Sequence, residues 1–188
     1  MDNFSANATV KPRLYPIIVE RVPISFDPTS EGALRKLEDA NGLHNYEVAR
    51  ARWIKPPGRR DPNQRAAHLI LFTTSPGTAN QLMRDGVRIV QTLLWDRKLF
   101  KEPLRCLKCQ RMETGHFASS CPEKEECCGT CGVAHRTKDC PVTHKKGRYC
   151  ANCKLTGHAA WERSCPAFTS SLEKLTAKIP DNQFKYYP

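Results

Sequence analysis

Three stretches of the chain combine cysteine and histidine at metal-ligand spacing: Cys106-x2-Cys109-x6-His116-x4-Cys121, Cys128-x2-Cys131-x3-His135-x4-Cys140, and Cys150-x2-Cys153-x4-His158-x6-Cys165. Each offers three sulfurs and one imidazole, the donor set of a closed tetrahedral zinc site. The Cys-x2-Cys spacing lets one tight turn aim two thiolates at a single ion, and the His and last Cys close the site from the other side. Gly115 and Gly157 stand just before a ligating histidine, where a glycine can take the positive φ of a tight loop. A single Cys-x2-Cys also occurs in redox motifs; three in tandem, each followed by His and Cys, specify metal. Three structural zinc ions are expected. All four positions of each site are filled by protein, so no open position is left for a reactive water. Cys127 and His144 remain outside the pattern; Cys128 is taken as the ligand because Cys127 would give x3 instead of x2.

Segments this short cannot fold on apolar burial. Ordering one residue costs about 1–2 kcal/mol of backbone entropy, whereas a structural zinc ion contributes on the order of 10–16 kcal/mol at neutral pH. The metal is expected to be the core of each knuckle, and the segments to unfold without it.

The remaining composition agrees with such a chain. All 10 cysteines of the 188 residues lie between Cys106 and Cys165. No signal-peptide-like apolar stretch opens the sequence, so an intracellular protein with metal-bound rather than disulfide-bonded cysteines is expected, in cytoplasm or nucleus alike. No apolar run reaches the roughly 20 residues of a membrane span, so no membrane partner is expected. The formal charge is +11; three thiolates against one dication remove one charge per site and leave +8 with three sites filled, still enough to attract phosphate. No Walker loop, nucleophile elbow or paired polymerase-like aspartates occur, and a binding protein rather than an enzyme is expected.

The cysteine-free half must be positioned by ordinary secondary structure. Alternation over Tyr15–Val22 predicts a strand, with Ile17 and Val19 on one face. Asp27-Pro28 reads as N-cap and first turn of a helix that buries Ala33, Leu34, Leu37 and Ala40 and ends at Gly42. Strands over Val48–Lys55 and Ala66–Thr74 follow, then a helix opened by Ser75-Pro76, carrying Ala79, Leu82 and Met83 and ending at Gly86, then a strand region over Val87–Leu99. The order predicts an α+β fold, the ferredoxin-like βαββαβ arrangement of the RNA recognition motif. Ile17–Pro23 resembles the first-strand motif of that family, and Arg65–Phe72 falls at its third-strand motif. The positions that would stack bases read as Ile18, Ala67 and Leu69, none aromatic, which makes the sheet a poor stacking platform and leaves a scaffold or self-association surface as the alternative role. The expected organisation is a flexible tail over 1–12, the RRM-like domain over 13–101, a tandem array of three zinc knuckles over 102–168, and a short helix and tail over 169–188, the helix opened by a Ser170-x-x-Glu173 capping box, carrying Leu172, Leu175 and Ile179, and stopped by Pro180.

Basic residues suggest where phosphate would lie. Arg50 and Arg52 share one face of the second strand, with Ala51 and Trp53 on the other and Trp53 directed to the core. Lys55, Arg59, Arg60 and Arg65 crowd a Pro/Gly loop against the single Asp61. In the cysteine half, Lys108, Arg111, Arg136, Lys138, Lys145, Lys146, Arg148, Lys154 and Arg163 are threaded between ligands, and Leu107, Phe117 and Trp161 could touch unstacked bases, Trp161 more naturally packing on its own loop.

Residues 104–166 resemble the zinc-knuckle region of Gag-like proteins, and more narrowly the first-open-reading-frame protein of fungal non-LTR (LINE-type) retrotransposons. Arg105–Gln110 (RCLKCQ), Cys128–Cys140 (CGTCGVAHRTKDC) and Tyr149–Pro166 (YCANCKLTGHAAWERSCP) carry the likeness, with Ala51–Arg60, Gln64–Leu71 and Asn182–Pro188 outside the array. The x6 loop of the first knuckle departs from that group's x4 and is expected to give the weakest site. The resemblance implies a nucleoprotein that coats single-stranded nucleic acid, RNA in preference to DNA. A host RNA-processing factor with the same modules and a zinc-stabilised protein adaptor are the competing readings.

Overall fold

The computed structural model describes residues 12–188, so the expected tail over 1–12 lies almost wholly outside the described residues. The chain divides into two compact units, one of residues 12–100 together with Phe184–Pro188, the other Lys101–Gln183. The described residues form a mixed α+β structure with a four-stranded antiparallel sheet, a two-stranded one and three α-helices. Among the described residues no helix is long and apolar enough to cross a membrane.

In the first unit, β1 (Tyr15–Pro23), α1 (Glu31–Ala40), β2 (Val48–Trp53), β3 (Ala66–Thr73) and α2 (Pro76–Asp85) are followed by three short strands, β4 (Val87–Ile89), β5 (Thr92–Leu94) and β6 (Asp96–Lys98). The four-stranded sheet has the order β2-β3-β1-β6, every neighbouring pair antiparallel. One side of it is sealed by Ile17, Val19, Leu69 and Leu71 with Leu34 and Leu37 of α1 and Ala79 and Leu82 of α2. The other side carries a smaller cluster of Ile18, Ile70 and Phe72, edged by Leu14 and Leu99.

Several boundaries differ from the sequence reading. The N-cap of α1 is Ser30, whose hydroxyl accepts from the Ala33 N–H at 3.3 Å. Asp27 instead closes a turn, accepting from the Thr29 N–H at 2.9 Å and hydroxyl at 2.7 Å, and Pro28 lies within that turn. Ala40 is exposed, and Glu38 takes the buried position. Its carboxylate accepts from the Val48 N–H at 2.6 Å and the Tyr46 N–H at 3.2 Å and pairs with Arg35 at 3.0 Å, so a charge satisfies the backbone where the chain enters β2. The Ser75 cap of α2 forms as read, accepting from the Thr78 N–H at 3.0 Å. The expected last strand is broken in two places: Val90 and Gln91 both take positive φ (47° and 60°), the geometry of a two-residue hairpin turn, and β6 alone joins the sheet.

The base-stacking positions also need correcting. Ile18 does lie away from the helices, but Ala67 and Leu69 are turned into the helix-covered core, and β3 presents His68, Ile70 and Phe72 on the open side. The run from Ala66 to Phe72 is almost continuously apolar, so its alternation does not disclose which parity faces the helices.

In the second unit, α3 spans Pro166–Lys178 with Cys165 as N-cap and Pro166 in its first turn, so Ser170 and Glu173 lie inside the helix and form no capping box. Phe168 of α3 packs with Cys150, Ala160 and Cys165 of the third knuckle. The last five residues, read as tail, belong to the first unit, where Tyr187 is buried.

Candidate metal centres and basic surface

Each Cys-x2-Cys sits in the same small hairpin. The N–H of the first cysteine donates to the carbonyl five residues on: Cys106 to Arg111, Cys128 to Val133 and Cys150 to Leu155, at 2.8–2.9 Å. The residue after the second cysteine returns a bond to the first: Gln110 to Cys106, Gly132 to Cys128 and Lys154 to Cys150, at 2.8–2.9 Å. That residue is left-handed in every case (φ 63°, 75° and 63°), although only Gly132 is a glycine. Gly115 and Gly157 take the expected positive φ before His116 and His158.

These hairpins gather the three predicted ligand sets. Within each of Cys106/Cys109/His116/Cys121, Cys128/Cys131/His135/Cys140 and Cys150/Cys153/His158/Cys165, the ligand atoms all lie within 4.8 Å of one another. The histidine Nε2 stands 3.6 Å from Cys109 Sγ, 3.6 Å from Cys131 Sγ and 3.1 Å from Cys153 Sγ in the respective sets. Sulfur–sulfur separations of 3.7 Å (Cys131–Cys140) and 3.5 Å (Cys150–Cys165) approach the edge of about 3.8 Å that Zn–S bonds of about 2.3 Å require in a tetrahedron. The cysteines form no disulfides. The first knuckle's longer loop still brings His116 into its cluster, through left-handed backbone at Glu113 (φ 56°) and Gly115. Cys127 stands outside the clusters with its sulfur against the Gly132 carbonyl, and His144 precedes a single 3-10 turn.

The donors suit a dication electrostatically. Burial alone would raise the first thiol of each set, but hydrogen bonds from backbone N–H groups of the Cys-x2-Cys turn and from the neighbouring thiols together outweigh it, so Cys106 and Cys150 titrate below the usual thiol range and Cys128 at about 6. Burial, then crowding by neighbouring sulfurs, pushes Cys121, Cys131 and Cys165 up to about 11. A zinc ion at the centre relieves that crowding by binding all three sulfurs as thiolates.

The knuckles are packed on one another. The Cys127 N–H donates to the Lys108 carbonyl at 2.8 Å, and the buried Gln110 amide donates to the Cys127 carbonyl at 3.0 Å. Tyr149 N–H donates to Thr130 O at 3.0 Å and Ala160 N–H to Gly129 O at 2.8 Å. The Asn152 amide donates to Gln110 O at 2.9 Å, and Met112 of the first knuckle packs on the apolar cluster of the third. The Trp161 ring lies over Gly129, where an added Cβ would come within 3.0 Å of it.

Several expected phosphate ligands are already engaged. Arg111 pairs with Glu123, Arg136 with Glu126 at 3.3 Å, Arg148 with Glu162 at 2.9 Å and Arg163 with Glu102 at 2.8 Å. Lys108, Lys138, Lys145, Lys146 and Lys154 join no ion pair among the described residues. In the first unit, Arg60 folds back over the half-buried Trp53 ring at 4.3 Å and donates to Lys55 O at 3.1 Å, which leaves Lys55, Arg59 and Arg65 exposed on that loop. Arg50 and Arg52 share the open face of the sheet, and the Arg50 guanidinium lies 3.8 Å from the centre of the Phe72 ring. Phe72 is the aromatic that the misread parity of β3 hid.

The three Cys3His clusters fit three structural zinc ions and define a zinc-binding protein of the tandem-knuckle type. Set against protein-family profiles, curated proteins and solved structures, the chain matches none.

Proposed function

We propose that the chain binds single-stranded nucleic acid, RNA in preference to DNA, as a Gag-like nucleoprotein, with the zinc-knuckle unit as its principal binding surface and no catalytic step of its own. One observation carries the reading: the zinc unit interleaves cations outside any ion pair (Lys108, Lys138, Lys145, Lys146, Lys154) with exposed Leu107, Phe117, Val133 and Leu155. Cations there would hold phosphates, and the apolar groups would contact unstacked bases. The first unit reads as a ferredoxin-like, RRM-like domain; the strand order β2-β3-β1-β6 and the helices on one side support that. Preference for RNA, and the retrotransposon role, rest on the sequence resemblance.

Salt dependence tests the reading. On single strands each phosphate contact gives a log–log slope of about −0.7, so five lysines predict about −3.5. Replacing Lys145 and Lys146 with alanine should bring the slope to about −2. Affinity of the zinc-loaded chain for a mixed single-stranded RNA is measured across a salt series, then after chelation, which should abolish most binding. A flat salt response, or full affinity after chelation, would rule out the knuckles as the main surface. It would favour the zinc-stabilised protein adaptor, the reading that the four ion-paired arginines would suit.

A further inference from the structure

The open face of the sheet is a grid of three rows. Alternation along β6 and its flanks puts Leu94, Asp96 and Lys98 toward the core and Trp95, Arg97 and Leu99 on the open side. The first row is Leu99, Pro16, Phe72 and Arg50 across the four strands; the second is Arg97, Ile18, Ile70 and Arg52. The third is Trp95, Glu20, His68 and Ile54, joined by Glu20 N–H to Trp95 O at 3.2 Å and Ile54 N–H to His68 O at 3.0 Å. Rows of one face stand about 7 Å apart along the strands.

Trp95 is anomalous in this grid. It is the most exposed large hydrophobic side chain among the described residues, at 71%. A tryptophan has 150–250 Å² of surface to bury, and here it buries little. Phe72, by contrast, is 9% exposed and already covered by Arg50, so it is not a free platform. The face as a whole is cationic: Arg97 stands beside Trp95 and pairs with the face's carboxylate, Glu20, at 3.3 Å, while Arg50 and Arg52 line the opposite edge strand, three strands or about 14 Å away.

We propose that Trp95 is a base-stacking site of the first unit, receiving an unpaired nucleobase on its ring while the strand crosses the sheet to Arg52, which takes a phosphate at the opposite edge. A stack needs an exposed π-face on a surface that can also hold phosphate; Trp95 supplies the exposed ring and Arg52 a cation that joins no ion pair among the described residues. The occupant is single-stranded nucleic acid because the face sets this apolar ring on one edge and Arg50 and Arg52 on the other, with three arginines against one carboxylate overall, a charge pattern that suits a phosphate chain crossing the sheet better than an apolar protein surface. The assignment rests on the nucleic-acid reading above and adds a second contact surface to it, separate from the zinc sites.

The test uses the zinc-loaded full chain labelled with 5-fluorotryptophan, its three tryptophan resonances assigned by single substitutions. On titration with a mixed single-stranded RNA, the Trp95 resonance should shift. Trp95→Ala should weaken binding about 5- to 150-fold, the equivalent of about 1–3 kcal/mol of stacking, with the salt slope unchanged because no charge is removed. Trp95→Phe should restore most of the loss. The exposure of Trp95 makes both variants foldable, and thermal unfolding checks it. RNA binding with an unmoved Trp95 resonance and unchanged Trp95→Ala affinity would overturn the stacking site and leave the nucleic-acid reading standing. No RNA binding by the parent would overturn both. A Trp95 resonance that moves with protein concentration alone, and not with RNA, would assign the face to self-association and overturn the proposal.

Discussion

Asp96 lies opposite Val19 in the sheet, on the side that faces the core. Among the described residues neither of its carboxylate oxygens has a hydrogen-bond partner, and burial raises its pKa from 3.8 to about 7. The folded protein therefore holds this proton more tightly than the unfolded chain does. The associated stability is complete below about pH 4 and is lost as pH rises through about 7. Above that, an ionised carboxylate is buried without compensation. Asp96→Asn should therefore stabilise the protein at pH 8 by about 2 kcal/mol, a figure already discounted for the partial exposure of the group, and change little at pH 4.5. Denaturant unfolding of variant and parent at both pH values measures it. Because zinc release also depends on pH, the quantity to compare is the difference between the two proteins. An Asn variant no more stable than the parent at pH 8 would show that the carboxylate is solvated in the fold.

A knuckle in isolation is a hairpin closed by an ion, but these three share backbone bonds, and the loss of one ion should be felt by its neighbours. Cys128→Ser should remove one zinc of three, while Cys127→Ser, outside the cluster, should retain all three; native mass spectrometry counts them. The second knuckle also accepts the Tyr149 and Ala160 N–H bonds of the third through Thr130 and Gly129. In Cys128→Ser those two amides should exchange with solvent at least ten-fold faster, the equivalent of about 1.4 kcal/mol of local stability, although the third zinc stays bound. Unchanged exchange at both positions would make the knuckles independent beads.

At the scale of the molecule, the chain leaves the first unit at Phe100 and returns to it at Phe184. Lys98 is buried, and its ammonium donates to the carbonyls of Phe184 at 3.3 Å and Tyr186 at 2.9 Å while lying 4.1 Å from the Tyr187 ring centre. Tyr187 exchanges backbone bonds with the Asn80 side chain at 2.8 Å each way, and its hydroxyl donates to Pro16 O at 2.7 Å. Deleting 184–188 would strip the carbonyls from a buried ammonium and empty the site of a buried aromatic ring. A loss of about 3–5 kcal/mol is expected, against about 1 kcal/mol for Tyr187→Phe, which removes only the hydroxyl bond. Urea unfolding of the zinc-loaded chain checks both; a deletion that costs no more than Tyr187→Phe would mean that the strap adds no stability.

The ligand sets were legible in the sequence because metal coordination is set by short spacing: a Cys-x2-Cys turn, a histidine and a final cysteine fix their own geometry within about sixteen residues at most. The Ser75 cap and the apolar faces of α1 and α2 were legible for the same reason, since caps and helical period are local. What depended on distant partners was not. Which parity of the apolar β3 run faces the helices was decided by pairing with β1 and β2, and it moved Phe72 to the open face. Four arginines that spacing offered to phosphate were claimed by carboxylates, Arg163 by Glu102 from 61 residues away. Residues 184–188 read as a tail because nothing local pairs their aromatic side chains; Lys98 and Asn80, distant in the chain, supply the bonds that hold the segment and bury Tyr187. Charge count and spacing fix the chemistry a residue can do; only the folded chain decides which of those groups is already occupied and which is left facing solvent.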